Sequence, residues 1–72
     1  MKEYIAKVEG MTCPHCAMKV KRALERVGYS DVQVSLERGE ARFKSEDEVF
    51  FEEVAEVIGE IGYELVELKQ EV

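Results

Sequence analysis

Cys13, Pro14, His15 and Cys16 stand in consecutive positions, and they are the only cysteines, the only proline and the only histidine of the chain. A C-x-x-C spacing serves three chemistries: exchange with a disulfide, half of a structural zinc site, or a soft ion held between two thiolates. A closed zinc site needs four protein ligands, and only His15 stands beside the pair. Redox chemistry is the stronger rival, because a histidine and a helix N-terminus both lower a thiol pKa. Cu(I) asks for least, since this closed-shell soft ion is satisfied by two thiolates in near-linear coordination. An ion held so thinly in an exposed loop is open to attack by a third thiolate, which suits delivery rather than storage.

The elements around the pair follow from hydrophobic periodicity. "EYIAKVE" alternates, with Tyr4, Ala6 and Val8 on one side, and reads as a half-buried strand. Gly10 to Thr12 form a loop. From Pro14 the period changes, and Cys16, Val20, Ala23, Leu24 and Val27 share one helical face. Pro14 suits the first turn of that helix and Gly28 its end. "DVQVSLE" alternates again, burying Val32, Val34 and Leu36; "ERGE" turns, and Ala41 and Phe43 return inward as the second arm of a hairpin. Ser45 and Glu48 have the spacing of a capping box and predict a helix after them. Its apolar face carries Val49, Phe50, Val54, Val57, Ile58 and Ile61, and it stops at Gly62 before a last strand, "YELVEL".

The order strand–helix–strand–strand–helix–strand predicts an α+β, ferredoxin-like βαββαβ sandwich: a four-stranded antiparallel sheet with both helices on one face. That topology brings residues 10 to 15 near Gly62–Tyr63, so function is expected at that edge. It also disfavours a dithiol–disulfide oxidoreductase. The thioredoxin-like fold that "CPHC" otherwise suggests carries a second proline facing the cysteines and a helix where residues 32 to 43 read as a hairpin.

Seventy-two residues make one domain, residues 1–72, with a modest core. No apolar run approaches a membrane span of about 18 residues, and "MKEYIAKVEG" lacks the apolar stretch of a secretory signal. A cytoplasmic setting, where thiols stay reduced, is expected. The net charge of −6 divides into +3 over residues 1 to 44 and −9 over the remainder. Nucleic acid is set aside, because the basic cluster of Lys19, Lys21, Arg22 and Arg26 is short and has no interleaved aromatics. These charges read as solvated helix faces, or as a collar steering an acidic protein partner. A charged fraction of 36% without asparagine hints at a thermophilic source.

"GMTCPHC" after a strand, with "GY" before the last strand, resembles the heavy-metal-associated domain family, and the resemblance covers essentially the whole chain. Gly10, Met11, Thr12, Cys13 and Cys16 match its G-M-[TS]-C-x-x-C motif. The resemblance implies a non-enzymatic copper chaperone. Cys13 and Cys16 would bind Cu(I), with Cys13 the more exposed ligand, and pass it by thiolate exchange to the metal-binding domain of a copper-transporting P-type ATPase. Thr12 stands where relatives that prefer zinc, cadmium or lead often have a carboxylate. Ag(I) is a natural surrogate, and Zn(II) or Hg(II) could bind in vitro; mercury carriers share the motif but resemble periplasmic proteins with signal sequences, of which none is expected here. Met11 is expected to turn into the core. His15 stands as either a third ligand or an exposed neighbour, and Tyr63 as either a strand-end aromatic or a group bonded toward the sulfur. The chain would be a monomer without metal and not embedded in a membrane; excess copper could bridge two copies. An excised amino-terminal domain of such an ATPase is the alternative, and Met1 with the charged end at Val72 favours a free chaperone.

Overall fold

The computed structural model describes residues 1–71; Val72 lies outside the described residues. The elements are β1 (Lys2–Glu9), α1 (Pro14–Val27), β2 (Ser30–Ser35), β3 (Glu40–Ser45), α2 (Phe51–Glu60) and β4 (Glu64–Gln70). The strands form one antiparallel sheet in the order β2-β3-β1-β4. The expected βαββαβ sandwich is therefore present, hairpin included.

Tyr4, Ala6 and Val8 of β1 are buried, as are Ala41 and Phe43 of β3, Val20 and Leu24 of α1, and Val54 and Ile58 of α2. The rings of Tyr29, Phe43 and Tyr4 stack through this core, with centroid separations of 4.4 and 5.7 Å. The opposite sheet face is a charged mosaic, with Arg42 paired to Glu3, Lys44 to Asp31 and Lys69 to Glu67. Such exposed pairs contribute about 0–1 kcal/mol each.

Both outer strands are irregular. In β4 the register shifts opposite Lys7–Val8, which pair with Glu67 and Leu65, so Val66 is an extra residue bulged out of the ladder. In β2 the shift falls between Ser30 and Gln33. Within it Asp31 adopts a left-handed φ of 53°.

Four expectations are corrected. Ser45 and Glu48 do not cap α2. Ser45 ends β3, and its hydroxyl accepts from the Asp47 N–H at 3.3 Å, a local turn that competes with helix initiation. The chain then stays extended, because Val49 is drawn into the core and its N–H is taken by the Tyr4 hydroxyl. The helix begins at Phe51, with extended Phe50 before it, and Phe50 is 57% exposed instead of sharing the apolar face. Val27 is the last residue of α1, and Leu36 falls in the turn beyond the end of β2; both are exposed.

Candidate metal centre

The loop between β1 and α1 is bent by Gly10, whose φ of +98° is a backbone conformation that residues with a Cβ rarely adopt. Met11 then turns inward and is 6% exposed, which pins the loop to the core and leaves its thioether no free face. Thr12 is exposed, and Cys13 becomes the N-cap of α1. Pro14 occupies the first turn, as predicted.

The Cys13 Sγ accepts the Cys16 N–H at 3.4 Å, and the Cys13 carbonyl accepts from the Ala17 N–H at 3.1 Å. A sulfur thus answers one of the donors that every helix start leaves unpaired. No acidic side chain lies in this first turn, so the positive end of the helix dipole acts on the thiols alone. The two sulfurs are free thiols 2.9 Å apart. Both cysteines are half-buried, so exposure does not rank Cys13 above Cys16.

The Cys16 thiol is lowered to about 7. The main cause is the hydrogen bond from Cys13, then donation from the Tyr63 hydroxyl, then the backbone amides of Thr12 and Cys13. Tyr63 is raised in turn to about 12, chiefly because its proton is held toward Cys16.

Tyr63 sits there because the end of α2 meets the start of the metal loop. Glu9 pairs with Glu64, and a Cβ built on Gly10 would lie 3.2 Å from Tyr63 Cδ1. Gly10 is thus needed twice, for its dihedral and for the ring above it. Its place in the motif was visible in the sequence, but the reason was not; the signal was a glycine preceding the loop together with an aromatic at the start of the last strand. His15 is exposed on the first turn of α1. Among the described residues, no group of three or more His, Cys, Asp or Glu is arranged to hold a metal ion, so the thiols stand as a pair.

A centre of two half-buried thiols can bind a soft ion without enclosing it. Across residues 5–64 the chain matches the family described as the Heavy-metal-associated domain. The chain belongs to this heavy-metal-associated family. The copper chaperone CopZ of Staphylococcus epidermidis is 40% identical over 67 residues, covering 90% of this chain and 98% of the chaperone. A copper-binding domain of a P-type ATPase superposes with a TM-score of 0.78 at 27% identity, covering 100% of this chain and 96% of that one. A mercuric reductase of Lysinibacillus sphaericus is 33% identical over 70 residues, 97% of this chain, although the chain spans only 13% of that enzyme.

Sequence similar to this chain's therefore occurs within a mercuric reductase as well as in a copper chaperone, which fits Hg(II) as an alternative ion. Two thiolates are as suitable for one soft ion as for the other. Among the described residues, no helix is long and apolar enough to cross a membrane.

Proposed function

We propose that the chain, taken as a single heavy-metal-associated domain over residues 1–72, is a Cu(I) chaperone of the cytoplasm. Cys13 and Cys16 hold the ion, and the acceptor is the metal-binding domain of a copper-transporting P-type ATPase. The observation that carries this reading is the free thiol pair at the start of α1, with its sulfurs 2.9 Å apart and, among the described residues, no third ligand grouped with it. Likeness to CopZ over nearly the full length of that chaperone supports copper as the cargo, and likeness to a P-type ATPase domain supports the acceptor.

Delivery needs no covalent chemistry beyond ligand exchange. Metal–thiolate bonds of about 2.3 Å in near-linear coordination put the sulfurs about 4.6 Å apart, so the pair opens to admit an ion. Cys16 is near its ionisation point at neutral pH, so a thiolate is at hand for the ion. An incoming cysteine of the acceptor adds as a third ligand, and one sulfur of this chain leaves. The protein makes and breaks no bond of a substrate molecule, so it is not an enzyme.

Anaerobic titration of the reduced protein with Cu(I), followed by mixing with such an ATPase domain, tests the reading. One equivalent binds through sulfur alone, with Ag(I) behaving alike, and the ion redistributes between the two domains on mixing. Absorption spectra of the loaded protein dominated by nitrogen or oxygen donors, or a Cys16→Ser protein that binds as tightly as the parent, would refute it. The match to a mercuric reductase favours one second reading, a domain that presents Hg(II) to an attached or neighbouring enzyme. Failure of Cu(I) to move to an ATPase domain, with prompt movement of Hg(II) to a reductase, would select it.

A further inference from the structure

The end of the molecule remote from the thiols gathers apolar side chains that the core does not take. There β1 starts, on its way to the metal loop, and there α1, which starts beside Cys13, ends at Val27. The 14 residues of α1 span about 20 Å, which sets the distance between the two ends. Seven large apolar side chains are exposed among the described residues, and four of them, Met1, Val27, Phe50 and Phe51, lie at this end. Single exposed apolar residues are ordinary, but a cluster with a polar rim marks a contact surface.

The setting of this cluster is acidic. Met1 and Val27 line a groove of ≈ 550 Å³, shared with the segment from Ser45 to Val49 and with Glu53 of α2. That segment runs on into Phe50 and Phe51, and Glu46, Asp47, Glu48, Glu52 and Glu53 are all exposed around the two rings. The negative end of the α1 dipole reaches the groove too, through Val27 and Gly28, offset by Arg26 in the last turn. Lys44 is the cationic side chain of the groove, and it is engaged by Asp31 at 3.2 Å. The amino terminus at Met1 adds one further positive charge.

These charges decide among occupants. Nucleic acid and anionic membranes are repelled. A metal ion is not indicated, since no group of three or more carboxylates among the described residues is arranged to hold one. A second copy could offer Lys19, Lys21 and Arg22 of its α1, but that contact is head-to-tail. It leaves the same two surfaces open at either end and builds strings in place of a closed dimer.

We propose that this end is a docking surface for a basic amphipathic helix of a protein partner. The apolar side of that helix packs on Met1, Val27 and Phe50, and its Lys and Arg side chains meet Glu46, Glu48 and Glu53. The contact lies about 20 Å from the thiols, so a partner held here leaves the metal loop open to a second domain. The proposal does not depend on which ion the thiols carry.

The test uses the full chain, reduced and metal-free, titrated with a synthetic amphipathic Leu–Lys peptide about four helical turns long. Binding is followed residue by residue in the NMR spectra of isotope-labelled protein. Saturable shifts are expected over residues 27–30 and 45–53, none over residues 10–16, and affinity falls as salt is raised. A scrambled peptide of the same composition binds about tenfold more weakly, as it has the charge without the apolar side. Phe50→Ser, which places a favoured residue at the N-cap of α2, and Glu48→Lys each weaken binding about tenfold. Glu56→Lys, the same change of charge further along α2, has little effect.

Absence of saturable shifts, equal binding of the scrambled peptide, or shifts spread over Glu56, Glu60, Glu64 and Glu71 as well would overturn the proposal. So would sedimentation showing that the chain alone self-associates and that Phe50→Ser abolishes it, because the occupant would then be a second copy.

Discussion

The hydroxyl of Tyr4, in the first strand, accepts the N–H of Val49 at 3.0 Å across 45 residues of sequence. Both residues are buried, so the bond closes the space between β1 and the segment that leads into α2. Tyr4→Phe leaves that N–H without a partner in the core, and such a group costs about 1–3 kcal/mol. Tyr29 is the comparison, because its hydroxyl is buried with no hydrogen-bond partner among the described residues. Tyr29→Phe is expected to leave stability unchanged or raise it. Chemical denaturation of the two variants checks the contrast: Tyr4→Phe falls and Tyr29→Phe does not.

Gly10→Ala places a methyl 3.2 Å from Tyr63 Cδ1 at a φ of +98°. The dihedral and the contact act in the same direction. A loss of at least about 1 kcal/mol follows, which for a domain of this size lowers the melting temperature by about 4–8 °C. A thermal melt equal to that of the parent would show that the ring simply moves aside.

Gly59 is the opposite case. It is an exposed helical glycine of α2 with nothing within 4 Å of a built Cβ, and it lacks the positive φ of the other four glycines. Gly59→Ala is expected to stabilise the protein by about 0.4–1 kcal/mol, mainly by restricting the unfolded chain. Calorimetry showing no gain would point to a cost at the end of α2, where the Gly59 carbonyl receives the Gly62 N–H.

The thiol of Cys16 sets a pH dependence. Its pKa is lowered to about 7, so the thiolate predominates above that pH and is lost as pH falls through it. The rate of Cys16 alkylation should rise with a midpoint near 7, and Cu(I) binding at pH 6 should release a proton from Cys16 that binding at pH 8.5 does not. Tyr63→Phe removes one of the donors that lower the pKa and should move the midpoint upward. A midpoint that stays in place would remove the phenol from the site's electrostatics.

Lys19, Lys21 and Arg22 are exposed on the helix that begins with the cysteines. If they steer an acidic acceptor, Lys19→Glu with Arg22→Glu should slow transfer through the association rate and flatten its dependence on salt. Stopped-flow mixing at two ionic strengths separates this from a change in metal affinity, which should be absent.

What could be read from the sequence was whatever depends on period or on a compact motif. The alternation of Tyr4, Ala6 and Val8 specified a strand and its inner face, and the 3.6-residue spacing of Val20 and Leu24 specified a helix. Pro14 was legible as the first turn of a helix and Gly28 as its end because both are local signals, whereas the capping of that helix by the Cys13 sulfur was not. The errors arose where a partner distant in sequence overrides a local preference. Ser45 and Glu48 have a capping spacing, but Tyr4 holds Val49 extended, and the helix starts later. Phe50 fits the apolar stripe on a helical wheel and is exposed because it precedes the first turn. Residues 10 to 15 were expected near Gly62–Tyr63 from the topology, but the packing of the Tyr63 ring against Gly10 itself emerges only from the pairing of β1 with β4.

The bulge at Val66 has an effect beyond local geometry. Together with the shift in β2, it leaves the sheet without a straight free border on either side. Such irregular edges disfavour the addition of another chain as a fifth strand, which leaves side chains as the readier means by which an acceptor could recognise this molecule.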